Sequence, residues 1–182
     1  MGSIGSALAV GGGLPLMAAC EQQQVDVLME SLAALPKEIN KYRTQNGLSE
    51  IPISDALTTV AFVHLMDIIN YKPHLNCDYH LHAWSCEGNW KCGCYVSNNS
   101  STYPIMHDKP RELTNYSGNG YEISNSGYTN AQDIVNSWKN SPLHNEVIMN
   151  TGPWPKEKYD WKALGAVFGG SYALAWFGTL ET

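Results

Sequence analysis

Apolar positions along this chain recur first at helical spacing and then, near its end, in strand-like runs. Val25, Leu28, Met29 and Leu32 share one face of a predicted helix over 24–35. Pro36 interrupts the pattern. Lys37 to Gln45 continues as a second helical piece carrying Ile39, Tyr42 and Arg43, and Asn46-Gly47 ends it as a cap. Ser54 is placed to cap the next helix, with Leu57 three residues on where a Glu is usual. The run Ala56 to Ile69 then predicts a buried helix, closed by Pro73.

Later in the chain, Asn130 caps a predicted helix over Ala131 to Asn140 with an apolar stripe of Ile134, Val135 and Trp138. Ser141-Pro142 ends it, and a second short helix follows through Val147-Ile148-Met149. Ala163 to Phe168 and Ser171 to Gly178 read as strands joined at Gly169-Gly170, a hairpin.

Between these blocks, residues 74–120 show no regular pattern. A loop region of this length is stapled or functional when it belongs to a folded domain. One short strand is predicted inside it, Tyr79 to Trp84, which would put His80, His82 and Trp84 on one face.

Cysteines supply the staple. Cys77, Cys86, Cys92 and Cys94 lie close together, and Cys20 stands apart. Four clustered cysteines form two local disulfides or a metal knot. Cys92-Gly-Cys94 lacks the C-x-x-C spacing of a zinc knot, which favours disulfides and an oxidising compartment. Cys92 and Cys94 are expected to take different partners, because so short a loop would be strained. Leu14-Pro-Leu16-Met17-Ala18-Ala19-Cys20 looks like a lipobox, with Cys20 as the lipid anchor. The competing reading is a flexible lead with a spare thiol, since residues 1–13 hold no Lys or Arg. The expected organisation is a lead over 1–22 and a single domain over 23–182.

The chain has 182 residues, 43% apolar and 15% charged, which suits one folded domain. Its net charge of −6 and scattered basic residues exclude nucleic acid or an anionic membrane surface as the main partner. No stretch reaches the ~20 apolar residues of a membrane helix, so membrane attachment would come only through the anchor. There is no Gly-x-Ser-x-Gly elbow and no phosphate-cradling glycine motif before a helix.

Several segments together carry a family resemblance. Glu38-Ile39-Asn40-Lys41-Tyr42-Arg43 with Gly47-Leu48, then Ser54-x-x-Leu57-x-x-Val60-Ala61-x-x-His64-x-x-Asp67, stand in order. His82-Ala-Trp-Ser85-x-x-Gly88, Tyr121-Glu122-Ile123, Trp138 to His144 (W-x-x-S-P-x-H) and Tyr172 to Gly178 follow. This series resembles the CAP superfamily of cysteine-rich secretory proteins, antigen 5 and plant pathogenesis-related proteins, in its bacterial form. The resemblance implies an α+β fold, a three-layer α-β-α sandwich, here with a cysteine-stapled insertion.

The same resemblance implies a central His/Glu cleft that holds a divalent cation, zinc or magnesium. His82, Glu122 and His144 are the ligands it points to, with His64, His74 and His80 as alternative cleft residues. Two imidazoles and a carboxylate with one open position is sound zinc chemistry. His64 on its apolar helix reads better as a satisfied core histidine, and His107 beside Asp108 as a surface loop residue. The chain departs from the family where Ile123 replaces an Asn, and where Ser141 stands near the place of a second acid; Glu146 is the nearest acid.

Two functions follow as expectations. One is a secreted or surface-anchored binding module at an extracellular, periplasmic or cell-surface location. Its cleft would take a metal ion, a lipid or sterol, or a glycan, with a host or envelope protein as a further partner. The other is a metal-dependent hydrolase with Glu122 as general base. Because only one convincing acid is identified, binding is favoured.

Overall fold

The computed structural model describes residues 32–181, so the predicted helical face over 24–31 and the lipobox at Cys20 lie outside the described residues. The first helix, α1, spans 32–45. Pro36 lies within it and does not break it. A proline inside a helix costs about 3 kcal/mol, and the full burial of Leu35 and Ile39 on either side works against that cost. Gly47 follows at φ 77, and the Leu48 amide bonds back to the Arg43 carbonyl, which closes the helix end.

Helix α2 (Asp55–Tyr71) begins as the sequence predicts: the Ser54 side chain accepts the Leu57 amide at 3.1 Å. The stretch after it is less irregular than its sequence. A 3-10 turn over Pro73–Asn76 leads into it, and two short helices follow, α3 (Pro104–His107) and α4 (Lys109–Leu113). Tyr79 to Trp84 is not a strand. It is a run of turns in which only Trp84 makes an isolated bridge, to Gly93. Asp78 and Tyr79 both sit at positive φ, 51 and 61, which takes the chain out of extended geometry.

Both disulfides form, Cys77–Cys94 and Cys86–Cys92, so Cys92 and Cys94 do take different partners. Strand β1 (Tyr121–Ser126) then enters the sheet, followed by α5 (Ala131–Lys139), α6 (Pro142–Met149), β2 (Ala163–Gly169) and β3 (Tyr172–Gly178). The sheet is antiparallel in the order β1-β3-β2. Gly169 pairs with Tyr172, so the hairpin turn is Gly170-Ser171, one residue later than the sequence indicated. Both turn residues have positive φ, as a type I′ hairpin turn needs.

Strand alternation sorts the core into two layers. Ile123, Leu164, Ala166, Ala175 and Phe177 face one way and pack with Leu35 and Ile39 of α1 and with Ile134, Trp138 and Ile148 of α5 and α6. Ala163, Val167, Leu174 and Trp176 face the other way, onto Leu57, Val60, Ala61 and Ile68 of α2. Helices, sheet and helix make the three-layer α-β-α sandwich. At Gly165 α2 lies close against the sheet; a Cβ there would stand 2.1 Å from the Leu57 backbone.

Candidate functional site

Helix α2 carries two polar groups one turn apart on its buried side, His64 and Asp67. The His64 ring stacks on Trp84 with centroids 4.0 Å apart, and its Nε2 donates to the Ala83 carbonyl at 2.9 Å. Asp67 accepts the Ser85 backbone amide at 2.9 Å and the Ser85 hydroxyl as well. Together they fix residues 83–85, and so the base of the turn that presents His82. Lys109, fully buried, lies over the other part of this layout, 5.0 Å from the Trp84 ring. It bonds the Lys91 carbonyl and Glu112, both at 2.5 Å.

Glu122 enters from β1, on the strand face turned toward α2. Its side chain is fully buried, and each carboxylate oxygen has an imidazole partner. Oε1 lies 2.7 Å from His64 Nδ1 and Oε2 lies 2.7 Å from His82 Nδ1. Burial alone would raise this carboxyl, but the charge and hydrogen bond of His64, with those of His82, outweigh it and hold the group below the ordinary carboxylate value. An ionised carboxylate only accepts, and so does the Ala83 carbonyl. His64 Nε2–H therefore donates to Ala83, and the ring is the buried hydrogen-bond partner of Glu122 through Nδ1. His82 donates Nδ1–H to the same carboxylate, and its Nε2 remains available.

His82 lies at one wall of a cavity of about 630 Å³. His80 shares that wall. Tyr95 to Asn98 line a second side, Met106 and His107 of α3 a third. Tyr121, Glu122 and Ile123 form the floor, and Leu143, His144 and Glu146 of α6 face it with Trp154. His107 donates Nδ1–H to the Gly120 carbonyl at 2.7 Å, which leaves its Nε2 unengaged. Burial holds the His107 ring below the ordinary histidine value, against the raising effect of that bond. His144 is likewise pushed down, by burial first and by the nearby charge of His82. Both rings are neutral at pH 7 and offer lone pairs.

The structure brings His82, Glu122 and His144 into this one cavity, as the sequence motifs indicated. Glu122 does not face the cavity alone: its two oxygens are paired with His64 and His82, so in this arrangement it stands behind His82. Among the described residues no three His, Cys, Asp or Glu side chains are grouped to hold a metal ion. His80 lines the cavity. His74 does not; it is buried near Tyr172, 5.6 Å away, and borders a different cavity of about 330 Å³. His64 is the satisfied core histidine its helix pattern indicated. His107 is not a surface loop residue but a half-buried helical one on the cavity wall. Tyr95 falls among the aromatics of 84–121 that suit a sugar or lipid groove, whereas Trp154 was missed, although between Pro153 and Pro155 it has no apolar run to bury it. Glu146, noted only as the nearest acid, lines the same cavity.

No helix among the described residues is long and apolar enough to cross a membrane. No significant match exists among curated protein sequences. Solved structures are similar. An outer surface protein from Borrelia burgdorferi aligns with TM-score 0.53 and 19% identity over 81% of this chain and 90% of that one. A cysteine-rich secretory protein from Staphylococcus aureus gives TM-score 0.53 and 15% identity over 83% of this chain and 38% of that one. An extracellular protein containing an SCP domain from Bacillus anthracis gives 0.50 and 16% over 78% of this chain, which again spans 38% of the other. At these identities the likeness is one of fold. Residues 37–152, from α1 through the His/Glu cleft to the end of α6, match the family model described as CAP, the cysteine-rich secretory protein family. With the fold and the order of its motifs in agreement over most of the domain, this chain belongs to the CAP family.

Proposed function

We propose that this is an extracellular or surface CAP-domain protein whose His/Glu cleft binds a ligand without turning it over. One observation carries the proposal: the fully buried carboxylate of Glu122 orients His82 through Nδ1, and His82 shares a cavity of about 630 Å³ with His107 and His144. A carboxylate behind a histidine is the arrangement that orients metal-binding imidazoles and raises their basicity. Two disulfides fit an oxidising, extracellular setting. The solved neighbours are themselves described as outer-surface or extracellular proteins.

The donor set fits a divalent cation in part. His82 and His144 would hold it, with Glu146 as the carboxylate on hand, and zinc suits imidazole and carboxylate donors. Such an ion would supply a positive centre for an anionic or hydroxyl-bearing ligand. Tyr95, Tyr121 and Trp154 offer flat apolar faces beside it, the chemistry of a lipid or sugar-ring wall. Calorimetric titration with zinc chloride tests this. The expectation is one site in the parent protein, lost in His144→Ala and weakened in Glu122→Gln. Absence of binding in the parent protein contradicts the metal part and leaves the aromatic wall as the ligand surface.

A hydrolytic reading has one observation in its favour, the presence of Glu146 as a second acid in the cavity. In it His82, oriented by Glu122, or Glu146 would take a proton from water. A screen of ester and peptide substrates with zinc present, repeated on Glu146→Gln, tests it; turnover lost in that variant supports it.

A further inference from the structure

The segment that carries His80 and His82 is held in an unusual way. It contains no helix or strand. Two consecutive residues without glycine's freedom, Asp78 and Tyr79, sit in the left-handed region at φ 51 and 61. Such residues persist only where the surroundings over-determine them. Here they are mostly noncovalent: Leu81 packs on the core beside α2, the His82 ring meets Tyr95 edge-on at 5.8 Å, and Ala83 is held by His64. Tyr79 and His80 amides return to the His74 and Cys77 carbonyls, and His82 reaches Glu122. On the side facing Tyr95 to Asn98, the covalent tie is Cys77–Cys94. That bond joins the two walls of the cleft directly: Cys77 lies three residues before His80, and Cys94 immediately precedes Tyr95.

The second disulfide does a different job. Cys86–Cys92 closes a short loop that other contacts already hold. Trp90 Nε1 donates to the Ser85 carbonyl at 2.8 Å, Lys109 holds the Lys91 carbonyl, and Trp84 and Gly93 exchange two backbone bonds. Cys77 and Cys94, together with Cys86, border a surface cavity of about 360 Å³ that no histidine lines. A reductant can therefore reach this bond without entering the cleft.

We infer that Cys77–Cys94 is a reducible clasp that sets the shape of the His80/His82 wall. The partner chemistry is a dithiol reductant. Its thiolate attacks Sγ of Cys94, the less buried residue of the pair; Cys77 leaves as thiolate, and a mixed disulfide forms. The second thiol of the reductant then closes onto the first and releases Cys94. Cys77 and Cys94 gain two electrons and two protons, and the dithiol becomes a disulfide. In the reduced form Asp78 and Tyr79 lose the constraint that keeps them left-handed, and His80 and His82 leave their positions. Only the consequence for ligand capture rests on the proposed binding role; the change of wall does not.

The test uses Cys86→Ser/Cys92→Ser, which leaves one disulfide, and hydrogen exchange before and after treatment with dithiothreitol. The expected result is about tenfold faster exchange or more at residues 78–83 and 95–98 on reduction, reversed on reoxidation, with β2 and β3 unchanged. The double variant Cys77→Ser/Cys94→Ser in the otherwise oxidised protein should reproduce it. Unchanged exchange in these segments after reduction overturns the clasp. So does an equal loss of protection across β2 and β3, which would make the bond a general staple. Neither readout needs a ligand, so failure of the binding role is seen separately, in the zinc titration.

Discussion

Nδ1 of His64 lies 2.7 Å from Oε1 of Glu122, and neither side chain has any exposed surface. Removing one member of such a pair strands the other charge in the core. His64→Ala should therefore destabilise the protein by about 3–5 kcal/mol. Glu122→Gln keeps the shape but turns an acceptor into a donor facing an imidazole N–H, and should cost about 2 kcal/mol. Urea unfolding midpoints check both. A cost near zero for His64→Ala would mean that Glu122 is not held by it.

Acid should weaken the fold in two stages. His107 and His144 are held below the ordinary histidine value of 6.5, so the unfolded chain takes up protons first as pH falls. Their full contribution is present above that value and is lost below it. Glu122 is held below its ordinary 4.5, so its contribution is present above that value and lost as pH falls through its lower folded value. The urea midpoint should be level above about pH 7, fall below about 6.5, and fall again in stronger acid. His107→Gln keeps a donor for the Gly120 carbonyl but cannot be protonated, so it should flatten the first fall. A midpoint that rises between pH 7 and 6 would contradict the assignment.

Much of this architecture is legible from caps and periodicity. Ser54 and Asn130 each accept an amide three residues on, and each marks a helix start correctly. Strand β1 was not legible. Tyr121–Ser126 is buried over most of its length yet half polar, because Glu122 and Ser124 face α2 and not solvent. Its partner, β3, comes from nearly fifty residues later, and no local pattern reports that pairing. The cleft was legible as a set of types, His82, Glu122 and His144, but not as roles. Glu122's part is decided by His64, an α2 residue that looks like a core histidine because it is one. The turn at 79–82 defeated period-2 logic: His80 and His82 do share a cavity, but through left-handed residues and not a strand.

Glycine positions give a clean contrast. At Gly165 a Cβ would sit 2.1 Å from backbone atoms of Leu57 and Thr58, which cannot give way like a side chain. Gly165→Ala should separate α2 from the sheet and cost about 3 kcal/mol. Gly127 also has positive φ, but nothing lies within 4 Å of its would-be Cβ. Gly127→Ala should cost only the backbone penalty, about 1 kcal/mol. Thermal midpoints of the two variants check the order; equal costs would contradict the close approach at Gly165.

The most direct test of the cleft follows the histidine nitrogens themselves. Nitrogen-15 NMR of the labelled side chains, recorded during zinc titration, separates Nδ1 from Nε2 at each ring. A shared His82/His144 site predicts that His82 shifts at Nε2 while Nδ1 keeps its proton toward Glu122, that His144 shifts with it at the same stoichiometry, and that His64 and His74 stay unchanged. Shifts at His74 alone, at His82 Nδ1, or at none of the cavity histidines would contradict it.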